Sequence, residues 1–408
     1  MIRHLRRAAL PLLAVLPIAP AAGDVVTDWS TRAANVLAAA QLPSPAQYRA
    51  LAVTQTAVYY AVNAVEGAEP AATGMPVALP GASVESAVAT ATHRVLTALV
   101  PSQADVLDDM YATALAALPD GPARQSGAAI GEHAAARVLD RAARDGSDAN
   151  ETDRPVTTPG VYVGTAIPVA STWPARTPWI MERADAFRPG PPPALDSATW
   201  TRDYAESREF GARDSRVRSA AQTQTARFWE TTAPIIYLGV AVTMIEGRGG
   251  STVRSARLLA ALTQAMDDAL IAVFDAKYHY RFWRPITAIR NGDRDDNPAT
   301  VRDAGWRPLI ETPMHPEYPC AHCILAGTLR EVLRAEIGSG PMPVLATRSP
   351  AAQGERREWR SLDALEQEIA NARIWAGVHY RYSTEVGDLM GRRIGELAAT
   401  RFRLGEHP

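Results

Sequence analysis

Apolar residues recur at steps of three and four along most of the chain and seldom alternate strictly, so the pattern predicts helices almost throughout. From Asp24 to about Glu66, Trp29, Val36, Leu37, Ala40, Leu51, Val58 and Val62 keep helical spacing, with Pro43 and Pro45 as punctuation. Val84 to Arg144 reads as two or three further helices, broken near Pro101 and at Asp120-Gly121-Pro122. Residues 146–200 lose the periodicity and fill with Gly, Pro and Thr, including Arg188-Pro-Gly-Pro-Pro-Pro193. A long irregular connection is expected there, as a linker or as the wall of a site. Helix resumes from about Ser197 through Glu230 and again from Thr231 to Gly250.

Leu259, Leu262, Met266, Leu270 and Val273 then mark the buried face of a long helix. Lys277 is the next step on that stripe. Arg284, seven residues on, returns to nearly the same face about 10 Å along the axis. Pro285 is expected to end the helix there. The fold class expected is all-α, one or more helical bundles, with an N-terminal half (24–196) supporting a C-terminal half (197–408) that holds the chemistry.

Composition narrows the choice. The 408 residues are 47% hydrophobic and 21% charged, with a formal net charge of −2, which fits a globular chain. No basic block suggests nucleic acid. Residues 1–23 carry Arg3, Arg6 and Arg7, an apolar run and Ala19-Pro20-Ala21, the form of a cleavable export signal; Arg6-Arg7 also permits twin-arginine export. No later segment is long and apolar enough to span a bilayer, so an exported chain, periplasmic or secreted, is expected. Two cysteines, Cys320 and Cys323, can pair with each other in an oxidising compartment.

One residue stands out against this background. The chain has 42 Lys plus Arg, and Lys277 is the single lysine, which leaves 41 arginines. A position that keeps a compact ammonium against such a drift to the planar guanidinium calls for the smaller head. Lys277 and Arg284 on an apolar face need carboxylates or an oxyanion as partners, because an unpaired buried charge is costly.

Rare residues crowd the same region. His279, His315, His322 and His379 lie within about a hundred residues of Lys277 and the two cysteines. In His315-Pro-Glu-Tyr-Pro-Cys-Ala-His-Cys-Ile324, Pro319 suits a first helical turn and the apolar stripe from Ile324 to Leu333 carries a helix onward. Cys320, Ala321 and His322 therefore sit at a helix N-terminus, where free N–H groups and the dipole favour an anion. Leu362, Leu365 and Ile369 form another stripe whose next step is Arg373; Gly377 breaks that helix, His379 follows, and Ser383 can cap a new helix running toward Leu397. One Lys, two Arg, a helix N-terminus and two His make a cage for an oxyanion with acid–base partners beside it.

These three blocks resemble the motif of the vanadium-dependent haloperoxidase and type-2 phosphatidic acid phosphatase superfamily: Lys, six residues, Arg-Pro; Pro-Ser-Gly-His; Arg, five residues, His. They appear as Lys277 to Arg284-Pro285, Pro319-Cys-Ala-His322, and Arg373 to His379. Ala57-Val-Tyr-Tyr-Ala-Val-Asn63 and Arg227-Phe-Trp229 extend the resemblance to the long bacterial haloperoxidase-like members. The resemblance implies that Lys277, Arg284, Arg373 and the backbone at Ala321 hold the equatorial oxygens of vanadate or phosphate. It makes His379 the axial ligand to vanadium, or the nucleophile of a phosphatase, and His322 the general acid–base. Hydrogen peroxide and halide would be the substrates of the peroxidase, and a phosphate monoester that of the phosphatase. This sequence departs from the family at Cys320, where Ser is usual, and at Ser383, where many members have Asp.

Other readings stay open at this stage. A non-catalytic helical protein can use the same cage to bind an oxyanion. Cys320-Ala-His-Cys323 has the spacing of a thioredoxin-like redox motif, though without a βαβ context. His315, Cys320, Cys323 and His379 together have the chemistry of a zinc site. The acidic Asn291–Pro298 stretch reads as a solvated turn, without the spacing of a calcium loop.

Overall fold

The structure, a computed structural model, describes residues 24–67, 75–76, 78–164, 167–249 and 251–405. The export signal expected at residues 1–23 lies outside them. Among the described residues, five helices form the N-terminal half: α1 (Val25–Ala39), α2 (Ser44–Glu66), α3 (Val84–Leu99), α4 (Ala104–Ala116) and α5 (Pro122–Ala142). Pro43 and Gly121 stand at the N-caps of α2 and α5, and Gly67 ends α2 in the left-handed conformation, so the punctuation acts as its chemistry dictates.

The C-terminal half holds α6 (Ala198–Gly211), α7 (Ala220–Phe228), α8 (Pro234–Arg248), α9 (Thr252–Tyr280), α10 (Pro285–Arg290), α11 (Ala321–Ile337), α12 (Leu362–Trp375) and α13 (Arg381–Arg401). An antiparallel hairpin, β1 (Leu345–Ser349) with β2 (Glu355–Trp359), is the one sheet among the described residues, with Leu345 opposite Trp359. The all-α expectation holds. One apolar cluster runs from Val26 on α1 to Leu404 after α13, with α9 packed on α2, so both halves share a core. No helix among the described residues is long and apolar enough to cross a membrane.

Four sequence expectations are corrected. The helix expected from Ser197 through Glu230 breaks after Gly211, which packs its backbone directly on Gly377. The Lys277 helix stops at Tyr280, with Arg281 left-handed at φ 52°, and Pro285 opens a new short helix for which Arg284 is the N-cap. A proline is as suited to N1 as to a stop, and here the N1 role prevails. Ser383 is not a cap: α13 begins at Arg381 behind Tyr380. Finally, the acidic turn is not fully solvated. Asp295 is buried, accepting the Trp200 Nε1–H (2.9 Å) and the Thr300 hydroxyl, and no group of side chains among the described residues suits a metal ion.

The irregular connection is a wall. Asp268 of α9 accepts the N–H groups of Trp179, Ile180 and Met181 at 2.7–2.8 Å, and Asp275 takes Arg188 through two bonds of 2.7 and 2.8 Å. Arg49 of α2 bridges Asp145 and Asp267. These charge-assisted bonds fasten Asp145, the 179–181 segment and Arg188 along the long helix, and Tyr162 and Val169 reach cavities described below.

α11 and α13 pack at backbone contact. A Cβ on Gly391 would collide with the Ile324 carbonyl, and one on Gly327 with the Asp388 carbonyl. The small residues bring the N-terminus of α11, with His322, against the segment that carries His379. Behind that segment, Trp200, Phe282, Trp283, Tyr318, Tyr380 and Tyr382 form an aromatic cluster; such ring pairs add about 0.5–1.5 kcal/mol each beyond area burial.

Candidate active site

Lys277, Arg284, Arg373, His322 and His379 come together in the structure, all of them buried. Lys277 projects from the last turn of α9 into the turn before α11. Its ammonium donates to the carbonyls of Pro316 (3.0 Å), Glu317 (2.8 Å) and Pro319. An ammonium has three protons, so all are used. The lysine therefore shapes the 316–319 turn. Burial, followed by the repulsion of Arg284, pushes its pKa well down, while Glu317 acts against both.

Arg284 is likewise spoken for. Nε donates to the His315 carbonyl (2.9 Å), Nη1 to the Val378 carbonyl (2.7 Å), and Nη2 faces His315 Nδ1 at 2.9 Å. Nη1 also lies 3.3 Å from His379 Nε2. Arginine can only donate, so Nε2 of His379 presents its lone pair, and the ring proton sits on Nδ1. That proton has a taker: His379 Nδ1 is 2.7 Å from Glu317 Oε1, which also accepts the Tyr380 N–H at 3.2 Å.

Arg373, from the last turn of α12, is different. Nη1 donates to the Trp229 carbonyl at 2.6 Å, but Nε and Nη2 are buried with no partner. Nε2 of His322 is buried and unpartnered too. Burial lowers the pKa of Arg284 to about 10 and that of Arg373 to about 9. Both stay cationic at neutral pH, and the shift measures how poorly the site tolerates their charge without an anion.

The histidines are held neutral. Burial, and then Arg284, push His379 well below the ordinary imidazole range; burial, and then Arg373, do the same to His322, while the carbonyls of Thr231 and Trp229 act the other way. Glu317 moves up to about 7 because burial outweighs the attraction of Arg284 and Lys277. Two buried guanidinium groups and Lys277 thus share the site with one buried carboxylate that ionises only near neutrality.

Cys320 and Cys323 form a disulfide, both buried, and Cys320 Sγ accepts the Cys323 N–H at 3.2 Å as the N-cap of α11. The sulfur at position 320, expected among the cofactor-binding groups, consequently has no proton to donate. The bond also removes the thiolates that a zinc site or a reduced redox pair would need. Ala321 opens α11, so its N–H lies in the first turn beside His322.

Two groups escaped the sequence reading. No periodicity marks Glu317, although Ser383, standing where a carboxylate is usual, signals that one comes from elsewhere. His315, which by residue type suits a metal, is instead a partner of Arg284. The site opens into a cavity of about 530 Å³ whose walls include Val169, Leu270, Phe274 and Met314 as well as His322, Arg373 and His379.

Known proteins share the fold. Residues 257–404 match the family model described as the VCPO second helical-bundle domain. The first bacterial vanadium-dependent iodoperoxidase is similar in structure, with 22% identity, coverage of 93% of this chain and 96% of that one, and a TM-score of 0.78. A holo-type bacterial vanadium-dependent chloroperoxidase follows with 16% identity, 89% and 93% coverage and a TM-score of 0.69, and its apo-type counterpart with 17%, 95% and 96%, and 0.67. Among curated proteins the sequence search finds no match. Residues 257–404 thus match the VCPO second helical-bundle domain by sequence, and nearly the whole chain shares the fold of these vanadium-dependent peroxidases.

Proposed function

We propose that the protein is an exported, vanadate-dependent haloperoxidase that oxidises halide with hydrogen peroxide. The observation that carries this reading is the set of buried polar atoms without partners, Nε and Nη2 of Arg373 and Nε2 of His322, on residues that line one cavity with His379. Each such atom costs about 1–3 kcal/mol unless something satisfies it. A tetrahedral or trigonal-bipyramidal oxyanion does so. Vanadate, when bound, activates hydrogen peroxide as an oxidant of halide.

The chain's own part is to bind, orient and move protons. Arg373 and the N-terminus of α11 balance the charge of the oxyanion. His379 offers the lone pair of Nε2, aimed by the Nδ1–H bond to Glu317. Neutral His322 takes a proton at Nε2 and returns it. Lys277 keeps Glu317 and the start of α11 in place. The apolar walls exclude water and leave room for an organic acceptor of the oxidised halogen. Closing the Cys320–Cys323 pair protects both sulfurs from oxidant and supports an oxidising compartment.

The test is a paired assay on the mature protein: vanadate- and peroxide-dependent halogenation with iodide, bromide and chloride, beside hydrolysis of an aryl phosphate. Halogenation that needs vanadate and is lost in His379→Ala is expected. Vanadate-inhibited phosphate release without halogenation would make the protein an acid phosphatase acting through His379, and activity in neither assay would leave an oxyanion-binding protein.

A further inference from the structure

A second cavity, of about 760 Å³, lies on the other side of the 312–315 segment and shares Pro313 and Met314 with the first. Its lining is richer in arginine. Arg213, Arg284, Arg290 and Arg307 face it with a single carboxylate, Glu311, whose side chain is 98% exposed and lies 4.0 Å from Arg213. Exposed pairs of that sort are strongly screened and neutralise little.

Two features distinguish this chamber from an ordinary solvated basic surface. The first is the placement of its charges. Arg213 N–H donates to the Arg307 carbonyl at 2.8 Å beside the Ala212–Pro308 bridge, so the backbone fixes two like charges side by side. The second is a pair of hydroxyls, on Tyr162 and Thr312, which line the chamber yet are buried without a hydrogen-bond partner. Cations in a concave wall with idle hydroxyl donors have the composition of an anion site. Arg284 joins it to the cage, because the same residue lines the chamber and lies 3.3 Å from His379 Nε2.

We propose that this chamber is a second anion-binding site, taking small inorganic anions such as halide or phosphate, and that it delivers them to the cage past Arg284. Organic molecules then use the apolar cavity and anions the arginine-lined one, so the two do not compete for one mouth. A concave cluster of one sign raises the local concentration of the opposite ion and its rate of arrival.

The delivery step rests on the cage being an oxyanion site, and the experiment separates the two claims. Inorganic phosphate is titrated calorimetrically into the full mature protein, and its arrival is followed by tryptophan fluorescence in stopped flow. Two classes of site are expected. Arg373→Ala removes the tighter class and leaves the weaker. Arg213→Ala with Arg307→Ala, both exposed and so harmless to the fold, removes the weaker class and slows arrival at the tighter one about tenfold. Bromide displaces phosphate from the weaker class alone. The tighter class alone in the wild type, or arrival unchanged in the double variant, overturns the chamber, and bromide that displaces nothing overturns halide as its ligand. The weaker class alone in the wild type, still removed by the Arg213 and Arg307 substitutions, would instead count against the cage.

Discussion

Glu317 Oε1 sits 2.7 Å from His379 Nδ1, although the two residues are 62 positions apart. Many members of the family have an Asp four residues after this histidine, where this chain has Ser383. The carboxylate has in effect been supplied from the turn before α11, whose shape Lys277 sets through three carbonyls. Partners of this kind are worth about 10–100-fold in affinity at a ligated histidine. Glu317→Gln should weaken vanadate and phosphate binding roughly tenfold and Glu317→Ala closer to a hundredfold. Equal affinities across the three proteins, by fluorescence titration, would show that the contact is incidental.

The pH dependence has a definite sign. Glu317 ionises at about 7, against an ordinary value of 4.5. Above that pH the carboxylate accepts the Nδ1–H and leaves the Nε2 lone pair free; below it the carboxyl O–H donates to Nδ1, and the ring proton moves to Nε2. Affinity for the oxyanion, taken as the ratio of wild type to Glu317→Gln so that the ligand's own titration cancels, should rise between pH 6 and 8, roughly one unit either side of that value. Stability runs the other way. The folded chain keeps a proton that the unfolded chain has already released, so this group's contribution falls as pH climbs from 4.5 to about 7. Glu317→Gln should flatten that part of the stability curve, measured by urea unfolding.

The Ser383 hydroxyl lies beside the Glu317 carboxyl. Ser383→Asp alone would place two buried carboxylates together and should lower the melting temperature. Glu317→Ser with Ser383→Asp moves the charge to the other segment, and it should bind vanadate more tightly than Glu317→Ser by itself. Additive losses in this double-mutant cycle would mean that the two positions do not substitute for each other.

Much of this was legible because the chemistry is written in rare residues. A lone Lys277 among arginines, Arg373 on an apolar stripe and His322 at a helix start each pointed inward, and the structure gathers them. What was not legible depended on choices that local sequence leaves open. Pro285 fits a helix end or a helix start, so Arg284 was assigned to the wrong helix while its destination was right. The Ser349 and Glu355 strands are five residues each, too short for alternation to declare itself, with a buried–exposed pattern set by packing on α8 and α12. Glu317 could not be joined to His379 by any periodicity, since the pairing exists only once α11 and α13 meet.

The seat of Lys277 accounts for its survival. Three converging carbonyls fit a compact ammonium, and a planar guanidinium cannot satisfy all of them. Lys277→Arg should therefore cost about 2–4 kcal/mol of stability, from overpacking and at least one carbonyl left without a donor. Urea unfolding at the wild-type midpoint would mean that the turn accepts either cation.

The disulfide separates stability from binding. A loop closed over three residues of sequence should lose about 2 kcal/mol of stability when opened. Cys320→Ser with Cys323→Ser also puts a hydroxyl donor at the start of α11, where the sulfur of a disulfide has none. One added hydrogen bond to an ionised ligand is worth about 1.5–3 kcal/mol, so the double variant should bind vanadate at least tenfold more tightly while melting lower. Weaker binding would show that the disulfide holds Ala321 and His322 in a geometry the hydroxyl cannot replace.

Arg373 offers the sharpest distinction between a residue kept for the fold and one kept for a ligand. Its guanidinium is fully buried, held at one end by the Trp229 carbonyl, with Nε and Nη2 facing no acceptor. Removing a structural ion-pair partner destabilises a protein, whereas removing a buried charge that lacks its counterion relieves it. Arg373→Met is thus expected to melt at or above the wild type without ligand. Saturating phosphate should raise the melting temperature of the wild type, by the linkage of binding to folding, and leave that of the variant unchanged. A variant that melts well below the wild type, or that phosphate still stabilises, would mean that Arg373 serves the core and that the oxyanion is held elsewhere.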